Sequence, residues 1–237
     1  MGVSLSVIMP ALNEAQNIEA ALRGVFQALE VSSISNAEVL VMTCLDRNGT
    51  RDETVEIVQR LSEAEPRIRL VHVDAYQKLG EKFRTAVQLA SKEYCVMVPG
   101  DNENDSTSLP VIFGEIGKAD MVVSYTSNPE VRSLYRQFLS RTYTLALNVL
   151  FWHGLPYYNG INVYRKEDLL TALPTTDSFA YSAEILITLL RSQQTYVVVP
   201  IRIQARPGTS KALRWQNFKS VIAAVMRLWG RMTFRRT

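Results

Sequence analysis

The sequence predicts an α/β fold with a mostly parallel central sheet flanked by helices and a C-terminal amphipathic helix. Three observations predict it. Short β-branched runs alternate with segments of helical period through the first two thirds of the chain. Polar loops rich in Asp, Asn and Glu follow several of those runs, where parallel α/β sheets place their ligands. The 237 residues are 47% hydrophobic and 21% charged, with 11 Gly and 9 Pro, which excludes disorder, collagen and coiled coil.

Each element follows from its pattern. Leu5–Pro10 reads as a strand, and Asn13 as the cap of a helix over about 14–30. Glu38–Thr43 is a second strand, followed by a polar turn and a helix over about 52–64 that Pro66 ends. Ile68–Val73 is a third strand, residues 80–91 a helix, and Tyr94–Val98 a fourth strand. After the polar loop 99–105 come a short helix, a strand at Met121–Tyr125 and a long helix over about 130–152. Asn159–Tyr164 and Tyr196–Ile203 read as later strands, with a helix at Tyr181–Arg191 between them and a basic helix at Leu213–Met232. With no repeat or Pro/Gly-rich linker, the reading is one domain over residues 1–212 and an appended helix over 213–237.

Two cysteines, Cys44 and Cys95, lie in apolar runs without Cys-x-x-Cys spacing, which excludes a disulfide scaffold or zinc ribbon and suits a reducing compartment. The net charge of +3 is unevenly spread: residues 185–237 carry ten Lys/Arg and no carboxylate. A basic end on an acidic body points to an anionic surface or substrate. Met1–Pro10 lacks the basic start and long apolar core of a signal peptide, and no run reaches the ~18 apolar residues of a membrane span. Neither a Gly-x-Gly-x-x-Gly nor a Gly-x-x-x-x-Gly-Lys motif occurs, so the dinucleotide and P-loop readings lose their support.

The segment Gly100-Asp101-Asn102-Glu103-Asn104-Asp105 carries three carboxylates and two amides directly after a strand. Hard divalent cations take oxygen ligands, and Mg²⁺ needs only one or two carboxylates beside substrate phosphates. Asp101 and Glu103, two apart in extended backbone, are the candidate metal ligands; Asp105 is assigned to the start of the next helix.

The string Ser6-Val-Ile-Met-Pro-Ala-Leu-Asn-Glu-Ala-Gln-Asn-Ile18 closely resembles the opening of family 2 glycosyltransferases of the GT-A fold. Asn159-Gly160-Ile161-Asn162-Val163-Tyr164-Arg165 and Arg206-Pro-Gly-Thr-Ser210-Lys211 resemble blocks of the polyprenyl-phosphate branch, typified by dolichyl-phosphate mannose synthase. The resemblance covers roughly residues 4–212. It implies that Pro10, Ala11, Asn13 and Glu14 line the nucleotide pocket and that Asp46, or Asp52, contacts the base or ribose. It places Asp101 at the metal-holding carboxylate and Glu103 at a metal-contacting position. Arg206, Ser210 and Lys211 would hold the diphosphate or acceptor phosphate, and Glu184 falls near an acidic position of the acceptor region. Pro99 departs from the pattern by replacing the first aspartate of the metal loop, as Arg47 and Asn48 do after strand two.

The implied activity is inverting transfer of a sugar from a GDP- or UDP-linked donor to a polyprenyl phosphate, assisted by Mg²⁺ or Mn²⁺. The catalytic set would be Asp101, Glu184, Arg206 and Lys211: the metal and the two cations stabilise the departing diphosphate. A phosphate acceptor is largely ionised near neutral pH and needs little help from a base, whereas a hydroxyl acceptor would use Glu184. This suits a chain with two histidines, His72 and His153, both read as structural. Transfer to a hydroxyl of a glycan or small molecule, and a catalytically degenerate nucleotide-sugar-binding protein, are the alternatives. Trp215, Phe218, Ile222, Val225 and Trp229 form an apolar stripe among Arg and Lys, which fits a helix lying in a lipid interface or packed on the protein. The expected location is cytoplasmic, peripheral at the membrane through this helix, with the Leu145–Trp152 run and Arg132, Arg136 and Arg141 upstream of it read as a second interfacial element; nucleic-acid binding is the weaker reading of the basic end, and a homo-oligomer is a further expectation.

Overall fold

The computed structural model describes residues 2–104, 107–204 and 215–234. Seven strands form one sheet in the order β3-β2-β1-β4-β6-β5-β7: β1 Ser4–Pro10, β2 Asn36–Cys44, β3 Ile68–Val73, β4 Tyr94–Met97, β5 Met121–Thr126, β6 Val163–Arg165 and β7 Tyr196–Ile201. Every neighbouring pair is parallel except those made by β6, which runs antiparallel to both β4 and β5. The mostly parallel α/β sheet is therefore as the sequence predicts. β1 and β2 are buried along almost their whole length, which explains why they read as continuous apolar runs rather than alternating ones.

Helices cover both faces. One buried cluster joins β1 and β2 residues such as Val7 and Val39 to α1 (Ile18–Val31), α2 (Thr54–Ala64) and α4 (Ser108–Phe113). The other joins Ile8, Leu40 and Met121 to α3 (Leu79–Leu89), α5 (Leu134–Phe151), α6 (Lys166–Thr171), α7 (Tyr181–Arg191) and α8 (Trp215–Phe234). At the edge of the sheet where β1 and β2 begin, Glu38 is buried and accepts hydrogen bonds from the Ser6 hydroxyl (2.7 Å), the Ser91 amide and hydroxyl, and Arg69. Burial pushes its pKa up, but those bonds outweigh it and hold the carboxyl below 4.5.

Several boundaries move for local reasons. The first helix begins at Ile18, not near Glu14, and Asn17 occupies its N-cap position. Asn13 is not its cap: it is left-handed (φ 56°), a conformation Asn tolerates. The second helix starts at Thr54, and a single 3₁₀ turn (Pro129–Val131) precedes α5, which starts after Ser133, whose side chain accepts the Arg136 amide. The strand expected at Asn159–Tyr164 shrinks to Val163–Arg165. At Gly160 a Cβ would run into the Ser124 carbonyl oxygen, so this position requires glycine for close backbone approach. Helix α6 is too short to show a helical period in the sequence.

The described side chains of α8 turn Ala224, Val225, Leu228 and Trp229 inward, whereas Ile222 is 49% exposed. The packed face is thus rotated away from the expected stripe at Ile222. Among the described residues no helix is long and apolar enough to cross a membrane.

Candidate functional site

An open cleft of about 1290 Å³ lies where β1, β2, β4 and β7 end. It is built from Asn13–Asn17 after β1, Arg51–Glu53 and Glu56 around the start of α2, Asp101–Glu103 after β4, and Gln204 after β7. The chain leaves β1 for β2 on one side, and β4 flanks β1 on the other. The cleft therefore sits at the point where strand order reverses, the place where this architecture binds ligands.

Hydrogen bonds fix its walls. The Asp52 carboxylate accepts the Ala15 amide (2.9 Å), the Thr54 amide (2.9 Å) and the Thr54 hydroxyl. The Asp52 amide donates to Asn13 Oδ1 (3.2 Å), and the Glu14 amide donates to Thr54 Oγ1 (2.9 Å). Asp52 thus ties the loop after β1 to the start of α2. Burial raises its pKa, but the Thr54 hydroxyl and the two amides outweigh it and keep the carboxyl below 3.8. Glu14 is buried, with Oε2 accepting from the Asn17 amide group at 2.8 Å.

On the opposite wall, Asp101 Oδ1 accepts the Glu103 amide (3.2 Å), and Asn102 is left-handed like Asn13 (φ 53°). The Glu103 carbonyl accepts from the Gln204 amide (2.8 Å), while Asn104 and Ile203 form an antiparallel bridge. Asn128 holds both polar groups of the Ile203 backbone at 2.9 Å. The wall formed by 101–104 and the segment that leaves β7 are therefore one bonded unit.

The structure brings together Asn13, Glu14, Asp52, Asp101 and Glu103 in the cleft. Pro10 and Ala11 stand behind it: the Pro10 carbonyl accepts the Gly100 amide, and the Ala11 amide donates to the Met42 carbonyl. Asp46 does not line it. Its Oδ1 accepts the Asn48 and Thr50 amides (2.8 and 2.9 Å), bonds that close its own turn and lower its pKa. Glu184 also lies outside the cleft lining, buried on α7 between the Thr175 hydroxyl (2.9 Å), the Thr176 amide (3.1 Å) and Arg231 of α8. Burial opposes its ionisation, yet Arg231 and the two threonines keep its pKa below 4.5. Arg206, Ser210 and Lys211 lie outside the described residues, as does Asp105. Neither histidine lines the cleft: His72 Nδ1 bonds the Thr43 hydroxyl, and burial with the Arg191 charge lowers the pKa of His153.

Sequence reasoning missed Arg132 and Arg136 as site residues. They lie within 3.8 and 3.5 Å of Glu103 Oε1, and their side chains are 14% and 26% exposed. Arg132 also donates to the Tyr157 hydroxyl (3.2 Å), and its buried Nε has no partner among the described residues. Nothing in their local spacing marks them; the 3₁₀ turn and Ser133 cap that aim them at the cleft are features of the fold.

Asp101 is suited to a divalent ion, being a cleft carboxylate beside open space for phosphate oxygens. The Glu103 carboxylate fits less well, because the two arginines already engage it. Among the described residues no group of three His, Cys, Asp or Glu side chains converges as a metal site. An ion held by one carboxylate and a diphosphate needs no such group.

A mostly parallel sheet whose reversal point opens into a carboxylate-lined cleft defines an α/β protein with a ligand site at its strand ends. The chain belongs to glycosyl transferase family 2, whose model matches residues 6–173. It is 25% identical over 243 residues to glycosyltransferase AglD of Haloferax volcanii, covering 99% of this chain and 38% of that protein. The chain thus spans under half the length of this curated relative. Among solved structures, glucosyl-3-phosphoglycerate synthase from Mycobacterium tuberculosis in complex with UDP superposes with a TM-score of 0.71 at 20% identity, over 97% of this chain and 81% of that one. Mannosyl-3-phosphoglycerate synthase from Rubrobacter xylanophilus gives 0.72 at 15% identity, over 99% and 75%. The mycobacterial synthase has also been crystallised with Mg²⁺ and UDP. These likenesses establish the GT-A fold.

Proposed function

We propose that the protein transfers a sugar from a nucleoside-diphosphate sugar to a polyprenyl phosphate, with inversion, as the dolichyl-phosphate mannose synthase-like branch of the family does. The observation that carries the reading is Arg132 and Arg136 converging on Glu103, a carboxylate of the cleft wall. Paired guanidinium groups beside a donor site suit a phosphate acceptor, since they bind its oxygens bidentately. The Glu103 carboxylate, 3.8 and 3.5 Å from the two guanidinium groups, supports the reading that an anion can sit between them.

In this reading Asn13 and Glu14 face the nucleoside, and Asp52 positions their loop. Asp101 and the donor diphosphate hold Mg²⁺ or Mn²⁺, which when bound acts as a Lewis acid on the departing diphosphate. Arg206 and Lys211, which follow Gln204 in the sequence, supply further positive charge to the diphosphate, and Ser210 a hydroxyl donor. Arg132 and Arg136 orient the acceptor phosphate, whose oxygen is already ionised and attacks the anomeric carbon without a general base. Glu184, paired with Arg231, positions α8 rather than acting as a base.

Transfer to a hydroxyl is the second reading, supported by the neighbours named for phosphoglycerate products. Labelled UDP- and GDP-sugars offered with a detergent-dispersed polyprenyl phosphate, 3-phosphoglycerate or free glycans separate the two. Product formed on the lipid phosphate is expected; product formed on a hydroxyl acceptor alone would replace the proposal.

A further inference from the structure

Helix α5 begins at Leu134, sends Arg136 of its first turn to Glu103 of the cleft, and runs for 18 residues, about 27 Å at 1.5 Å per residue. Its inward face buries Leu147 and Phe151 and packs Tyr143 and Leu150 on the core. Its opposite face is also apolar. Leu134 is 83% exposed, Phe138 66%, Leu145 65%, Val149 68% and Trp152 92%, and at 100° per residue these five fall on one stripe. The exposure of Trp152 is built in. It caps the helix in the left-handed conformation, and the Asn148 side chain pins the following turn by bonding both polar groups of the Leu155 backbone at 2.8 and 3.1 Å. A monomeric soluble surface rarely carries so many large exposed apolar side chains on one face without a partner.

We propose that the outward face of α5 docks on an anionic lipid bilayer. Charge identifies the occupant: α5 contains no carboxylate, and while Arg136 turns to Glu103, Arg141 is exposed as a cation on the stripe itself. Tyr135, 66% exposed, and Trp152 stand at the two ends, the amphipathic rings favoured at headgroup depth. A two-fold contact with a second copy would set this acid-free face, Arg141 included, against itself with no carboxylate to offset the charge. Helix α8 packs on the same buried cluster, and its exposed Ile222, Met226 and Arg227 give it the same chemistry on its outer side. The membrane contact therefore rests mainly on α5, not on the C-terminal helix alone. If the lipid-acceptor reading also holds, this docking presents the cleft rim at Arg132 and Arg136 to a headgroup phosphate.

The test is co-sedimentation of the full chain with vesicles of phosphatidylcholine alone or mixed with phosphatidylglycerol, neither containing polyprenyl phosphate. Failure here is therefore separate from failure of the transfer reading. Wild type is expected to bind the anionic vesicles, and Leu145→Glu/Val149→Glu to lose that binding by about tenfold or more. The variant should keep its circular dichroism and nucleotide affinity, because both positions are solvent-exposed and outside the cleft. Leu145→Gln/Val149→Gln, which adds no charge, should lose binding to a smaller degree. Equal vesicle binding by wild type and both variants would overturn the proposal. So would a wild-type dimer in light scattering that the variants dissociate without any vesicle binding by wild type.

Discussion

The Asp52 carboxylate accepts two backbone amides and a hydroxyl, so its place in the molecule is a brace between the loop after β1 and α2. Asp52→Ala would leave the Ala15 and Thr54 amides unpaired, and denaturant melts should show a loss of about 1–3 kcal/mol. The folded pKa lies below the ordinary 3.8, so this stabilisation is complete above that value and is lost as pH falls through the lowered one. Asp52→Asn should accordingly flatten the stability-versus-pH curve below about pH 4. Arg132 and Arg136 make a different prediction. Replacing either with Ala should raise the acceptor KM about 10- to 100-fold while the donor affinity stays level, as initial-rate kinetics against each substrate would show. At this scale the sequence was legible where a motif is contiguous, as at Asn13-Glu14 and Asp101. It was not legible at Arg132 and Arg136, because their meaning comes from Glu103, about thirty residues away in the chain.

Elements fit together through a few close approaches. The first turn of α3 passes so near the 174–178 loop that a Cβ on Gly80 would run into the Thr176 carbonyl, and Arg84 ties the same loop through Asp177 and the Pro174 carbonyl. Gly80→Ala is expected to cost about 1–3 kcal/mol in thermal or denaturant unfolding, since backbone rather than a flexible side chain must yield. That loop also meets Glu184 through Thr175 and Thr176, and Glu184 reaches Arg231. Glu184→Gln should therefore loosen α8 and increase amide exchange there while leaving nucleotide affinity unchanged; equal exchange in both proteins would remove Glu184 as the latch. The sequence showed that α7 and α8 exist, from apolar period alone. It did not show that a buried carboxylate on one holds an arginine on the other, since periodicity assigns faces but not partners. It also placed the first helix four residues early, because Asn13 reads as a cap until its left-handed backbone is seen.

Across the whole molecule, the buried Glu38 cluster and the carboxylate cleft lie at opposite ends of the strands of one sheet. Glu38 and its serines and arginine sit at the edge where β1 and β2 begin, and the carboxylate cleft opens where β1, β2 and β4 end. The alternating pattern of the first hundred residues foretold this arrangement, because parallel strands joined by helices bring their C-terminal loops to one side. The antiparallel β6, with three residues, was beyond that reading; the apolar run Leu145–Trp152 was legible as an interfacial element, but the exposure of Leu134 and Phe138 in line with it came only with the fold. The central claim is that the cleft holds a nucleoside diphosphate through Asp101 and a divalent ion. Calorimetric titration of UDP and GDP into wild type and Asp101→Ala, with and without Mg²⁺ or Mn²⁺, tests it most directly. The account predicts metal-dependent binding of one nucleotide, weakened about 10²-fold or more in the variant. Equal, metal-independent binding by both proteins, or no binding of either nucleotide, would contradict it.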